Sequence, residues 1–215
     1  IAIVKEAFGG LGYNIFNPAL AGRAFLSVCF PNEMTSWALP PHFNFDAITG
    51  ATPLNDNFVY HADKLTLYKD LFFGNRGGSL GETSVLLILI GATILLVLRI
   101  IDWKIPVIYI GIVALGSFLM GKDVLFQVMV GGLMIGSFFM ATDYVTSPVT
   151  GNGRIIFAVG LGILTILFRN FSNMPEGVAF SILIMNAFVP LIDKYVRIKP
   201  FGFVRKKKNA RLNWI

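Results

Sequence analysis

Two hydroxyls, one acid and three small residues share a short stretch, Asp46-Ala47-Ile48-Thr49-Gly50-Ala51-Thr52, within the one long polar segment of the chain. A threonine hydroxyl beside residues as small as Gly50 and Ala51 can be laid in the active site of a second enzyme and modified there. Pro53 biases Thr52 toward an extended backbone, and Pro40-Pro41 upstream discourages regular structure. The hydroxyl is therefore expected to be accessible. Taken alone, the same residues also suit a plain glycine-containing turn.

Two further stretches carry polar groups at the borders of apolar runs. Gly74-Asn75-Arg76-Gly77-Gly78-Ser79-Leu80-Gly81-Glu82-Thr83-Ser84 is a glycine-rich turn opening a helix. Its backbone N–H groups could receive an anion, or the glycines could serve only helix entry and close packing. Ala141 to Thr150 places Asp143, Thr146 and several other hydroxyls at a membrane edge. There they could bond a ligand, line an ion route, or lie in interfacial water. His42 and His61 lack metal-ligand spacing, and Cys29 sits in apolar company, where a buried small hydrophobe is expected. No Ser-His-Asp, paired-carboxylate or His-Glu-x-x-His arrangement is visible.

The elements that position these groups follow from composition. Hydrophobic residues make up 55% of the chain and charged residues 14%, the balance of an integral membrane protein. A bilayer crossing takes about 20 mostly apolar residues in a helix. Stretches near 83 to 101, 104 to 120, 123 to 142, 154 to 169 and 176 to 194 approach or meet that, and a shorter run lies near 19 to 30. Gly131, Gly132, Gly136, Gly160 and Gly162 read as smooth faces for helix packing. Asn186 reads as a hydrogen bond between helices. The chain opens at Ile1 with no initiator methionine and no secretory leader, and is expected to be part of a longer polypeptide.

Basic residues gather after the last apolar stretch, at Lys194, Arg197, Lys199, Arg205, Lys206, Lys207, Lys208 and Arg211. Directly after a span they predict a cytoplasmic flank rather than a nucleic-acid tail. Parity then places Arg99, Lys104 and Arg154 inside, and the turns at Lys122-Asp123 and 169 to 176 outside. The segment from Pro31 to Glu82 also falls outside, and its acids outnumber its bases. The predicted organisation is a partial membrane segment over 1–30, an extracytoplasmic loop over 31–82, a five-span bundle over 83–196 and a basic cytoplasmic tail over 197–215. The loop shows no clear helix or strand periodicity, but its aromatic residues predict packing against the spans. An internal echo joins Asn17-Pro18-Ala19-Leu20 with Arg23 to Ser147-Pro148-Val149-Thr150 with Arg154, as in repeat folds with broken helices.

Residues 46–52 fit the pattern D-x-x-[ST]-G-A-[ST] and resemble the flavinylation site of the RnfD and NqrB membrane subunits. The resemblance extends to Gly9-Gly10-Leu11-Gly12-Tyr13-Asn14-Ile15-Phe16-Asn17-Pro18-Ala19, the glycine-rich helix entry, the A-T-D-x-V-T-S-P segment, Pro175-Glu176-Gly177 and Leu183 to Ala187. It is strongest to RnfD, a membrane component of the Rnf electron-transport complex. It implies FMN bound covalently to Thr52 through a phosphoester, with Asp46, Thr49, Gly50 and Ala51 completing the flavin transferase's recognition motif. Gly78, Glu82, Thr83, Asp143 and Thr146 are candidates for a flavin pocket, and a further noncovalent flavin such as riboflavin is compatible with the family. The resemblance also implies an all-α bundle of two membrane repeats similar to urea-transporter-like proteins, in a bacterial inner membrane. Its partners would be the iron-sulfur and flavin subunits of a ferredoxin:NAD oxidoreductase that moves Na+ or H+. The alternatives are an NqrB-type component of a Na+-translocating NADH:quinone reductase, or a channel of the same fold without a redox role. Members of the family carry further N-terminal spans than this chain contains.

Overall fold

The computed structural model describes residues 1–35, 64–74, 81, 83–172 and 177–196, and among these the secondary structure is helical, with no strand. A 3-10 turn at Glu6–Phe8 precedes α1 (Pro18–Cys29) and α2 (Pro31–Thr35). Then come α3 (Lys64–Phe73), α4 (Val85–Val97), α5 (Lys104–Leu119), α6 (Val124–Met129) and α7 (Leu133–Ile135). A π-helical turn, Gly136–Met140, leads through a non-helical segment to α8 (Gly151–Phe171) and α9 (Gly177–Tyr195). By length and composition, α8 and α9 can each cross a membrane, while α1, α4 and α5 are shorter apolar helices.

Side-chain caps explain where several helices begin. The Asn17 side chain accepts from the Ala19 and Leu20 N–H groups, and Pro18 supplies a first helical residue that needs no N–H partner. Ser84, Asp123 and Thr150 cap α4, α6 and α8 in the same manner. The bundle has two ends. At one, the turn at Asp102 meets the start of α8 through Arg154; at the other, the turn at Asp123 meets the close of α8 through Lys122 and Asn170.

The core lies among α1, α5, α8 and α9. Leu20, Ile105, Tyr109, Phe157, Leu161 and Ile182 are all essentially inaccessible. Glycines let the backbones approach: a Cβ at Gly162 would lie 2.5 Å from Ile112 Cγ2, and one at Gly160 2.6 Å from Met185 Cε. At Gly136 it would lie 2.5 Å from Val178 Cγ1. These three glycines are packing surfaces, as their sequence context predicts.

Gly131 and Gly132 are different. Their φ angles of 73° and 67° are left-handed, and they break the stretch 123–142, which the sequence predicts as one continuous span. After the break, α7 and the π turn run down beside the start of α9 and the middle of α4, where a Cβ at Gly91 would lie 3.1 Å from Phe139 Cζ. Regular structure stops at Met140. The second difference is Cys29, expected as a buried small hydrophobe but exposed at the close of α1. The third is α3, a ten-residue helix in the segment expected to lack periodicity. Phe72 of α3 packs against the cluster formed by Val85, Ile88 and Phe138, as expected of the loop aromatics.

Candidate functional site

The polar centre of the bundle is the non-helical segment from Ala141 to Thr150, set against the midpoint of α9. Backbone without helical hydrogen bonds is tolerated in a membrane only where protein or a water-lined cavity surrounds it. Thr146, Ser147, Pro148 and Thr150 are indeed buried. The Thr146 hydroxyl donates to Asp143 Oδ2 at 3.0 Å, and the Ser147 N–H bonds the Asp143 carbonyl at 3.0 Å. The segment is thus folded on its own acid.

Asn186 holds this segment to the start of α1. With its amide oriented by its neighbours, Nδ2 donates to the carbonyls of Thr146 and Ile182, each at 3.2 Å. Its Oδ1 accepts from the Asn17 N–H at 3.3 Å, and the residue is 1% exposed. The two proline-containing segments that echo each other in sequence are therefore joined by one side chain. Both are breaks in helical structure, and they meet halfway along α9.

A polar clamp fixes the same segment at the Asp102 end. Arg154 Nη1 bonds Asp102 Oδ2 at 2.7 Å, and Arg154 Nε donates to the Pro148 carbonyl at 3.1 Å. Asp193 of α9 accepts from the Val149 N–H at 3.2 Å. Burial alone would raise the Asp102 carboxyl, but the Arg154 hydrogen bond, the Lys104 N–H and both positive charges outweigh it and hold it below the usual range. A depressed folded-state value stabilises the protein at pH above the unfolded carboxylate range of about 4 and is lost as pH falls through the folded value. Asp102→Asn is therefore expected to lower stability by about 1 kcal/mol at neutral pH, since the pair is partly solvated. Thermal melts of both proteins from neutral pH into acid check it: the gap should close in acid, and an equal gap throughout contradicts the charge-based account.

At the opposite end, the Tyr68 hydroxyl donates to Asp123 Oδ2. That bond is the leading cause holding the Asp123 carboxyl below its usual range and pushing the Tyr68 phenol above its own. Ser84 Oγ donates to the Phe72 carbonyl at 3.3 Å, so α3 is docked at both its middle and its close.

Of the residues the sequence singles out, Asp143 and Thr146 are brought together by a direct bond. Thr83 is placed by a different element, half-buried just before the Ser84 cap of α4. Asp46, Thr49, Gly50, Ala51, Thr52, Gly78 and Glu82 lie outside the described residues. Sequence reasoning missed the roles of Asp102 and Asp193. Their signal was an acid at each end of an apolar stretch, but only the fold shows which backbone each one holds.

Comparison with known proteins places this sequence in a family. Residues 1–202 match the family described as NQR2, RnfD, RnfE. The chain is 47% identical, over 94% of its length, to the D subunit of the proton-translocating ferredoxin:NAD(+) oxidoreductase complex of Clostridium ljungdahlii. It is 45% identical, over 98% of its length, to the D subunit of the Na(+)-translocating ferredoxin:NAD(+) oxidoreductase complex of Acetobacterium woodii. It spans 66% of the length of each of these relatives. Against the B subunit of the Na(+)-translocating NADH-quinone reductase of Chromohalobacter salexigens, it is 37% identical over 91% of its own length and 51% of that protein's. Helical in its described residues and matched over almost its whole length, the chain belongs to the NQR2, RnfD, RnfE family and is most like the RnfD proteins within it.

Proposed function

We propose that this chain is the flavin-bearing membrane component of an ion-translocating ferredoxin:NAD oxidoreductase, carrying FMN esterified through its phosphate to Thr52. The observation that carries the reading is the stretch Asp46 to Thr52, a complete flavin-transferase motif in a chain 47% identical to the D subunit of a ferredoxin:NAD(+) oxidoreductase complex. The hydroxyl of Thr52 is the donor that a phosphoester requires, and Gly50 and Ala51 leave it approachable. Asp46 and Thr49 complete the recognition strand for the transferase. The bound flavin would supply one-electron chemistry, while the chain supplies placement and tuning. The helix α3, which follows the motif in sequence, is docked at the Asp123 end. That end is assigned to the extracytoplasmic side, and the Asp102 end with the basic tail to the cytoplasm of a bacterial cell.

Gly78, Glu82 and Thr83 are assigned to the helix entry that receives a flavin's anionic or polar groups. Asp143 and Thr146, at the junction with Asn186, are the candidates for a noncovalent flavin such as riboflavin or for an ion route. The iron-sulfur and flavin subunits of the complex are the proposed partners. An RnfD role is favoured over an NqrB role by the higher identity and by the larger share of the relative that is matched. Mass spectrometry of the proteolytic peptide containing Thr52, from protein made with a flavin transferase, tests the reading. FMN attached at that residue is expected, and an unmodified Thr52 overturns it.

A further inference from the structure

A cation at the Asp123 end is held by oxygens at the close of a helix. Arg169, near the close of α8, donates through Nη1 to the Gln127 carbonyl at 2.5 Å and to Gln127 Oε1 at 3.1 Å. Its Nη2 donates to the Val130 carbonyl at 2.8 Å. All three acceptors are neutral oxygens, and the two backbone carbonyls among them close α6 just before the left-handed Gly131-Gly132 break. Among the described residues no carboxylate pairs with Arg169. A guanidinium more commonly meets a carboxylate or phosphate, which matches its fork and its charge.

The carboxyl end of a helix carries partial negative charge on its unpaired carbonyls. Where helices break inside membrane proteins, such carbonyls coordinate monovalent cations. Neutral oxygens without carboxylates also disfavour divalent ions, which draw on acidic ligands. The Val130 carbonyl belongs to a residue 1% exposed, so this oxygen is not simply turned to bulk solvent.

We propose that the oxygens of Gln127 and Val130 form a monovalent-cation site, and that Arg169 is its built-in occupant. The guanidinium and an inorganic cation compete for the same three oxygens, because two positive charges cannot share them. Na+ or K+ enters as Arg169 withdraws. The site shares no residue with the Asp46–Thr52 motif or with the junction at Asn186, so it holds or fails independently of the flavin.

The full chain in lipid nanodiscs allows two measurements at constant ionic strength. In the first, thermal melts compare wild type and Arg169→Ala in NaCl, KCl and choline chloride. The variant is expected to gain several degrees in Na+ or K+ over choline, or with guanidinium at concentrations that do not denature wild type. Wild type should show no such gain. An arginine that merely capped α6 would leave the variant destabilised equally in every salt, and that result overturns the proposal. In the second, which does not depend on the variant folding, wild type is treated with phenylglyoxal and Arg169 is read by mass spectrometry. Modification should rise several-fold in Na+ or K+ relative to choline; equal modification in all three salts also overturns it.

Discussion

Thr52→Ala is expected to abolish covalent flavin completely, so that the denatured band loses its fluorescence under ultraviolet light while the protein still accumulates in the membrane. The effect is all or none because an ester needs an oxygen and alanine has none. Thr52→Ser restores a hydroxyl and is expected to restore some of the fluorescence. Asp46→Ala should give an intermediate loss, since the proposed function places that acid in the motif the transferase reads rather than in the ester. In-gel fluorescence and the mass of the peptide measure the same event independently. If Thr52→Ala stays as fluorescent as wild type, the flavin is anchored elsewhere and the motif is a turn.

The second large effect is expected at Asn186. Leucine has a similar volume but no amide, so Asn186→Leu strips a partner from the Asn17 N–H and from the Thr146 carbonyl. A buried polar group left unsatisfied costs about 1–3 kcal/mol, although hydrogen bonds between membrane helices are often weaker. A net loss of about 2 kcal/mol is expected, or roughly 4–8 °C in the melting temperature for a chain of this size. Asn186→Gln keeps the amide but moves it by one methylene and should fall between. Melting of the purified protein in detergent reads this directly. A leucine variant that melts with wild type would show that the two breaks are held together by packing alone.

Much of the helical framework is legible in the sequence. The apolar stretches 104–120, 154–169 and 176–194 become Lys104–Leu119, Gly151–Phe171 and Gly177–Tyr195, because uninterrupted apolar residues in a membrane protein have few alternatives to helix. The stretch 123–142 shows the limit of that logic. Hydropathy registers that a segment is apolar, not that it is helical, and Gly131-Gly132 looks the same whether it packs against a neighbour or breaks the helix. Their left-handed angles appear only in the fold. The echo between Asn17-Pro18 and Ser147-Pro148 is visible in the residues, yet their meeting at Asn186 requires three elements far apart in sequence. The helix α3 was missed because its placement depends on tertiary bonds from Asp123 and Ser84, while its own apolar pattern is weak.

The shortness of α4 has a consequence for the lipid. Its 13 residues rise about 20 Å, against a hydrocarbon layer of about 30 Å. Leu87, Ile90, Ile94 and Val97 nevertheless present an apolar flank. Acyl chains beside that flank must compress, or a neighbouring protein must fill the deficit, and either response concentrates elastic strain on one side of the molecule. Bilayer thickness thus becomes a variable of assembly, with thinner membranes easing the fit around this helix.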